Sequence, residues 1–346
     1  MVGCGVSTRD LPRFVLALLL GLTACQAAGS PSALPAPSSQ PSAERPAPSV
    51  SPTEPADTPV AVPSGHVAAA IYDIGEAPCA VTTDGSLVWI TDFRRRQLVG
   101  IDPEDGSFVA RHRIAQQSCS VGFSHGALFT AEQSLRYLTK RDPRSGDELA
   151  EPIISRNYIW DIDAGHGSIW FVDRPSGVLV RVDPAAHAVV ARIEVGIPAS
   201  GIAVTADAVW VAVEGTDEVA RVDPATDDIV ARVATGDAPI GLAAAGDHLW
   251  VSHQSGGAAQ VDMRTNELLR VIELGGPLGE PAVAAGSVWV PGQLDGLLRR
   301  IDAASGEILA EHYVADELAA VWFAAGDLWA TTYADPYLYR IDPDAG

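Results

Sequence analysis

One stretch of about forty residues, from Gly196 to Thr235, recurs along this chain and constrains its fold more than any other feature. Four short apolar runs lie between turn-forming residues in this stretch: Gly201–Val204, Ala208–Val213, Glu218–Val222 and Ile229–Val233. Alternating and β-branched residues make up most of these runs, a pattern typical of antiparallel strands that follow one another in a meander. The repeat therefore predicts an all-β protein built from copies of one small sheet.

Two residues mark the register of the copies and so give their number. An aromatic residue in the second strand recurs at Trp89, Phe129, Trp170, Trp210, Trp250, Trp289 and Trp329. An aspartate that closes the third strand recurs at Asp102, Asp142, Asp183, Asp223, Asp262, Asp302 and Asp342. Neighbouring markers lie 39 to 41 residues apart in both series, a spacing that indicates propeller blades. We expect a seven-bladed β-propeller of four-stranded blades in residues 66–346.

Both markers are expected to serve the fold itself. A large ring that occurs once per blade fills the wedge between adjacent twisted sheets. The aspartates, several of them followed by proline, are turn formers whose carboxylates accept backbone N–H groups two residues further on. The last copy stops before its fourth strand, and the isolated strand Val67–Ile74 precedes the first copy. We expect this strand to complete the last blade and close the ring.

The first 65 residues have a different composition. Arg9 and Arg13 precede the apolar run Phe14–Leu22, which is too short to span a membrane as a helix. The sequence Leu-Thr-Ala-Cys that ends at Cys25 resembles a bacterial lipobox, so residues 1–25 are interpreted as a lipoprotein signal peptide and Cys25 as the lipidated residue. The alternative is an ordinary cleaved signal peptide with an incidental cysteine. Residues 26–65, rich in Pro, Ser and Ala, are expected to be a disordered tether.

These features predict an extracytoplasmic protein that a lipidated cysteine anchors to the bacterial cell membrane. The net charge of −21, from 44 acidic and 23 basic residues, argues against nucleic acid as a partner. A monomer is expected. Cys79 and Cys119 occupy equivalent positions on adjacent inner strands, and two alternatives remain for them: a disulfide, which an oxidising compartment permits, or two buried thiols.

The loops on the face where propellers usually bind ligands carry a candidate site. The predicted rim consists of Arg94, Arg95, Arg96, Arg136, Arg156 and Arg174, with Tyr158 and Tyr333. Such a cluster of guanidinium groups would attract a carboxylate, a phosphate or an anionic glycan. The alternative is that each arginine pairs with a local acid such as Asp92, Glu132 or Asp173.

A second candidate site lies where the inner strands begin. Most copies carry a small residue there, whereas the third and sixth carry Asp161 and Glu280, with Asp163 two residues after the former. These carboxylates could line the channel and hold a divalent cation or ordered water, or they could pair with backbone amides or Arg156. No other cofactor is indicated. The sequence contains none of the familiar catalytic motifs, so catalytic residues stay unknown.

The repeat text itself resembles a known family. The segments Pro-Ala-Ser-Gly-Ile-Ala-Val, Val-Trp-Val-Ala and Val-Ala-Arg-Val-Asp-Pro-Ala-Thr, all within Gly196–Thr235, resemble YVTN-type and NHL-like propeller repeats of bacterial extracytoplasmic proteins. They are also similar to the streptogramin (virginiamycin B) lyases, a resemblance that implies histidines and a glutamate with Mg²⁺ at the channel mouth. No inner-strand start in this chain carries histidine, so those catalytic residues are not transferred.

Two functions are therefore expected. The first is a surface-anchored binding or interaction module that presents the propeller rim to a protein, a glycan or a small anionic ligand. The second is a metal-dependent lyase or hydrolase that uses the channel carboxylates. A propeller fold does not decide between them, because the same frame supports both kinds of activity.

Overall fold

The computed structural model describes residues 59–344, which form seven β-sheets arranged as the blades of a propeller. The inner strand of each blade contacts the inner strands of both neighbours, and the last contacts the first, so the ring is closed. The predicted seven-bladed fold is confirmed. The predicted signal peptide, the lipidation site Cys25 and the tether up to residue 58 lie outside the described residues.

The strands follow one another from the channel outwards in each blade. Blades 1 and 2 contain β3 (Pro78–Thr83), β4 (Val88–Asp92), β5 (Gln97–Ile101), β6 (Phe108–Arg113), β7 (Ser118–Ser124), β8 (Ala127–Glu132), β9 (Tyr137–Arg141) and β10 (Ile153–Ile154). Blades 3 and 4 contain β11 (Ile159–Gly165), β12 (Ser168–Asp173), β13 (Val178–Asp183), β14 (Ala188–Glu194), β15 (Ala199–Val204), β16 (Val209–Val213), β17 (Glu218–Asp223) and β18 (Asp228–Ala234). Blades 5 and 6 contain β19 (Pro239–Ala245), β20 (His248–His253), β21 (Gly257–Asp262), β22 (Glu267–Glu273), β23 (Ala282–Ala284), β24 (Ser287–Pro291), β25 (Leu297–Asp302) and β26 (Ile308–Tyr313).

Blade 7 joins the two ends of the described chain. It contains β27 (Leu318–Ala324), β28 (Asp327–Thr332) and β29 (Tyr337–Ile341), with β2 (Ala70–Asp73) and β1 (Pro59–Val60) from the N-terminal side. The strand β2 pairs antiparallel with β29, as the sequence predicts. The strand β1, inside the segment predicted as tether, pairs with Ile71 and Tyr72 and makes this blade five-stranded.

The aromatic markers pack between blades as expected. The side chains of Trp170, Trp210, Trp289, Trp329 and Phe129 are fully buried, and Trp89 and Trp250 are 1 % exposed. Burial of a large apolar side chain contributes roughly 1.5–3 kcal/mol, so the markers are a major source of cohesion between sheets.

The marker aspartates behave as turn formers in all seven copies. Each accepts a hydrogen bond at Oδ1 from the backbone N–H two residues later, with N···O distances of 2.7–3.1 Å: Asp102, Asp142, Asp183, Asp223, Asp262, Asp302 and Asp342. The predicted role is confirmed. The described residues contain the short 3-10 turns Arg174–Ser176 and Glu214–Thr216, and no helix in residues 59–344 is long and apolar enough to cross a membrane.

A polar contact that the sequence reasoning missed joins successive blades. A side chain two residues before the marker aspartate donates to the carbonyl that follows the marker in the next blade: Lys140 to Pro184 (2.7 Å), Arg181 to Pro224 (2.7 Å), Arg221 to Met263 (2.8 Å) and Gln260 to Ala303 (2.9 Å). Blade 1 has Gly100 at this position. There His112 stacks on Trp89, and its Nε2 lies 2.9 Å from the carbonyl of Pro143. These contacts link blades 1 to 6 in succession.

Candidate functional site

The site lies on the face that carries two sets of loops. These are the loops between the second and third strands and the connections between blades, and we call this face the top face. Five of the predicted rim arginines lie in blades 1 and 2 or in the connection to blade 3, and Arg174 lies in blade 3 itself. Inner strands begin at this face, so Asp161 and Glu280 lie near the same mouth of the channel.

Four of the six predicted arginines form what we call the basic rim: Arg94, Arg96, Arg136 and Arg156. All four are exposed. Within residues 59–344 none of them forms an ion pair. The loops that carry them are tied together, because Nη1 of Arg136 donates a 2.7 Å hydrogen bond to the carbonyl of Arg156. The basic rim is therefore a set of cations that face solvent from neighbouring blades.

The other two predicted arginines are partnered. Nε of Arg95 lies 3.7 Å from Oε1 of Glu76. Arg174 forms hydrogen bonds to both carboxylate oxygens of Glu214 (2.8 and 2.7 Å) and to the hydroxyl of Tyr158 (3.2 Å). Its guanidinium also lies 4.3 Å above the ring of Trp160. Arg174 and Tyr158 thus bridge blades 3 and 4, and the predicted six-arginine cluster is divided into four exposed cations and two paired ones.

The acids proposed as local partners of the rim have other roles. The buried carboxylate of Asp92 accepts the backbone N–H groups of Glu76 and Arg95. Glu132 forms a buried ion pair with Arg141, and Asp173 accepts hydrogen bonds from Ser155 and Asn157. These acids shape the loops and connections of the top face, and among residues 59–344 the basic rim has no acidic ion-pair partner.

Two of the basic-rim residues have left-handed backbone. The φ angles are 56° for Arg96 and 61° for Arg136. The equivalent residue, whose carbonyl accepts the N–H at the end of the outer strand, is Gly177, Gly256 or Gly296 in three other blades. A residue with a Cβ costs roughly 1–2 kcal/mol in this conformation. Blades 1 and 2 therefore place arginine where glycine would relieve strain.

The channel carboxylates of blade 3 are bound to the neighbouring blade. Oδ2 of Asp161 accepts the N–H of Ile202 (2.8 Å), and Oδ2 of Asp163 accepts the N–H of Val204 (2.7 Å). The Oδ1 atoms accept the N–H of the following residue, Ile162 or Ala164, each at 2.7 Å. Asp161 and Asp163, two residues apart on β11, thus add side-chain hydrogen bonds between the inner strands β11 and β15. Backbone amides, rather than Arg156, are the partners of these acids.

The three channel carboxylates influence one another electrostatically. Burial, with a smaller contribution from the charge of Asp163, raises the pKa of Asp161 from 3.8 to about 7. Burial also raises the pKa of Asp163 to about 6. For Glu280, burial and then the charges of Asp161 and Asp163 raise the pKa well above its ordinary value. The side chains of Asp161, Asp163 and Glu280 are half-buried. They border the channel on one side and pack against protein on the others.

Tyr333 from blade 7 belongs to the same mouth. Tyr333 is 44 % exposed overall. Desolvation of its hydroxyl, together with the charge of Glu280, raises the pKa of that hydroxyl to about 12. The structure therefore brings Asp161, Asp163, Glu280 and Tyr333 together, as a group that can both donate and accept hydrogen bonds near neutral pH.

A divalent cation does not fit this group. Every carboxylate oxygen of Asp161 and Asp163 already accepts a backbone N–H. Hard divalent cations bind ionised carboxylates, whereas burial raises the pKa of Asp161, Asp163 and Glu280 and so disfavours their ionised forms. Within residues 59–344, no three His, Cys, Asp or Glu side chains converge in an arrangement that could hold a metal ion. The chemistry available to the channel is hydrogen bonding to a polar ligand.

The two cysteines of the propeller are joined. Cys79 on β3 and Cys119 on β7 form a disulfide, with Cα atoms 5.1 Å apart. Because the bond links the inner strands of blades 1 and 2, it ties together the two blades whose loops carry most of the basic rim. Of the two alternatives that the sequence left open, the structure contains the disulfide.

Comparison with known proteins supports the fold and leaves the ligand open. No protein-family model matches the chain, and no curated protein matches it significantly. Virginiamycin B lyase from Staphylococcus aureus is similar in structure, with 17 % identity, a TM-score of 0.65 and coverage of 77 % of this chain and 95 % of that one. BamB from Moraxella catarrhalis has 16 % identity, a TM-score of 0.59 and coverage of 75 % and 80 %. U3-55K has 10 % identity, a TM-score of 0.69 and coverage of 79 % and 98 %.

Proposed function

We propose that this protein is an extracytoplasmic lipoprotein of the YVTN/NHL-like propeller type that binds an anionic ligand through its basic rim. Lipidation at Cys25 and a Pro/Ser/Ala-rich tether would hold the propeller at the bacterial cell membrane with its rim accessible to a protein, glycan or small anion. Catalysis is not part of the proposal, because the channel carboxylates do not fit the divalent cation that the lyase alternative needs.

The contrast in arginine pairing carries the proposal. Of the other fifteen arginines in residues 59–344, at least nine form ion pairs: Arg95, Arg141, Arg174, Arg181, Arg221, Arg232, Arg264, Arg299 and Arg340. Acidic residues outnumber basic ones by 44 to 23, so the chain has ample acids to pair with every arginine. Four arginines in neighbouring loops nevertheless face solvent. Unpaired guanidinium groups on one rim attract anions and form strong bidentate hydrogen bonds with them.

Backbone strain supports the same conclusion. Arg96 and Arg136 keep a left-handed conformation that glycine adopts in three other blades. Strained positions persist where the surrounding structure holds them, and they cluster at functional sites. Neither guanidinium contributes an ion pair to the described fold, so we assign that function to ligand binding.

A pair of substitutions tests the proposal without disturbing the fold. Replacing Arg96 and Arg136 with glycine removes two positive charges and places the favoured residue at both positions. Relief of backbone strain stabilises the folded state, while the flexibility of glycine stabilises the unfolded chain. The two effects nearly cancel, so the free energy of unfolding should change by less than about 1 kcal/mol. Binding of a polyanion such as heparin or oligoglutamate, measured by calorimetry at low salt, should weaken about tenfold or more.

The matched control lies on the opposite face of blade 2. Arg144 is exposed in the turn after Asp142, and Arg144→Ala removes one positive charge, half of what the glycine variant loses, at a site distant from the rim. It should leave polyanion binding nearly unchanged. Equal losses per charge removed in the glycine variant and in the Arg144 variant would show only a general charge effect and would contradict a specific rim site.

A further inference from the structure

Apolar side chains lie exposed beside the basic rim. Leu135 is 38 % exposed in the same loop as Arg136. Ile154, at the end of the short outer strand β10, is 62 % exposed and is followed after one residue by Arg156. Scattered exposed apolar residues are ordinary, but here they alternate with unpaired arginines.

The hydrogen bonds of this region make it one continuous surface. Ile154 pairs with Tyr137 across β10 and β9. The N–H of Ser155 donates to the carbonyl of Arg136 (2.8 Å), and Nη1 of Arg136 donates to the carbonyl of Arg156 (2.7 Å). The loop with Leu135 and the connection with Ile154 are therefore held side by side. We call Leu135, Arg136, Ile154 and Arg156 the mixed patch.

We infer that the basic rim and the mixed patch bind a protein segment that is acidic and carries apolar side chains; this inference rests on the proposed function. Inorganic phosphate or a sulfated glycan would satisfy the arginines but would leave Leu135 and Ile154 in water. A polypeptide satisfies both, because its carboxylates meet the guanidinium groups while its apolar side chains cover the patch. Arginine is enriched at protein–protein interfaces, whose buried centre is more apolar than the rest of the surface.

The charge on the rest of the top face favours binding of a narrow peptide segment over binding of a broad anionic surface. Loops of blades 4 to 7 on this face carry acidic residues that form no ion pair among residues 59–344: Asp217, Asp237, Asp316 and Glu317. A flat anionic membrane that reached the basic rim would also approach these acids, and like charges would oppose it. An extended peptide that lies across blades 1 and 2 avoids them.

Binding of defined probes tests this inference on the complete protein. The first probe is a fluorescein-labelled peptide of five Glu-Glu-Leu repeats, and the second is a peptide of the same length made only of glutamate. Heparin, inorganic phosphate and phosphatidylglycerol vesicles complete the set. We expect the Glu-Glu-Leu peptide to bind about tenfold more tightly than the glutamate peptide, and more tightly than the three other probes.

Two sets of variants separate the inference from the proposed function. Replacing Leu135 and Ile154 with serine should lower the affinity for the Glu-Glu-Leu peptide by roughly fivefold to tenfold. The affinity for the glutamate peptide should fall by less than about twofold. The control Ile308→Ser changes an isoleucine that is 42 % exposed on the outer strand of blade 6 and should have no effect. Glycine at positions 96 and 136 should lower the affinity for both peptides.

Each remaining outcome overturns the inference in a recognisable way. Equal affinity for the two peptides, or no effect of the serine variants, means that the apolar side chains play no part, while the anion-binding proposal stands. Tightest binding by heparin or phosphate assigns the rim to a glycan or small anion, and tightest binding by vesicles assigns it to a lipid surface. If no probe binds, both the inference and the proposed function fail.

Discussion

Compared with the wild type, the Asp161→Asn variant should gain stability as the pH rises from acidic to alkaline. The folded state raises the pKa of this carboxyl from 3.8 to about 7, mainly through burial. The folded protein therefore keeps a proton that the unfolded chain releases. The resulting stabilisation is fully present below the unfolded pKa and is lost as the pH rises through the folded pKa. Asparagine cannot titrate, so the variant lacks this pH dependence.

The expected magnitude follows from the two pKa values. Between pH 5 and the folded pKa of about 7 lie about two pH units, and each unit corresponds to about 1.36 kcal/mol. Asp161 thus contributes about 2.7 kcal/mol at pH 5 and close to zero at pH 8. Solvent in the channel reduces this figure, and we expect the free-energy difference between variant and wild type to shift by about 1.5–2.5 kcal/mol.

Urea denaturation followed by tryptophan fluorescence at pH 5 and pH 8 measures this shift. Only the change between the two pH values is used, so the hydrogen bond that asparagine loses at one oxygen cancels. The matched control is Asp183→Asn, because backbone amides of the turn lower the pKa of Asp183 and keep it ionised at both pH values. That variant should show a difference from wild type that does not depend on pH in this range.

Two results for the Asp161→Asn variant would refute this prediction. A shift for Asp161→Asn below about 0.5 kcal/mol, or a shift that favours wild type at pH 8, would mean that the carboxylate is well solvated or ion-paired in the folded state. The channel would then hold ionised acids, the form of carboxylate that divalent cations bind.

Two further predictions concern the cysteines. Serine at both positions 79 and 119 should lower the free energy of unfolding by about 4 kcal/mol, because the disulfide closes a loop with a sequence separation of 40 residues; urea denaturation with and without reductant measures this, and an unchanged wild-type midpoint after complete reduction would contradict it. Serine in place of Cys25 should move the protein from the membrane pellet to the soluble fraction on cell fractionation, whereas Cys4→Ser should not; persistence of the Cys25→Ser protein in the membrane pellet would contradict lipid anchoring at this residue.

The repeat made the architecture predictable because its constraints are local. The tryptophan wedge, the aspartate turn and the alternating strands all lie within about forty residues, and every copy restates them. Closure by the N-terminal strand was also predictable, since an incomplete last copy needs a partner for its edge. The short strand β1 was missed, because two residues in a Pro-rich segment carry no periodic signal.

The site was less accessible to sequence reasoning. Six arginines were placed on one rim, but only the structure separated Arg174, whose partner Glu214 lies 40 residues away, from the four exposed cations. Similarly, two of the four backbone amides that bind Asp161 and Asp163, those of Ile202 and Val204, come from the next blade. Such contacts cross from one copy of the repeat to another. The residue pattern within a copy does not contain them.

By itself, the sequence determined the fold class, the number of blades, the position of the markers and the surplus of acidic residues, because each depends on local pattern or composition. Only the tertiary structure decided which arginines stay unpaired, which carboxyls favour a proton and whether Cys79 bonds to Cys119. The physical reason is that charge pairing, burial and disulfide geometry depend on distances between blades. Those distances exist only after the ring has closed.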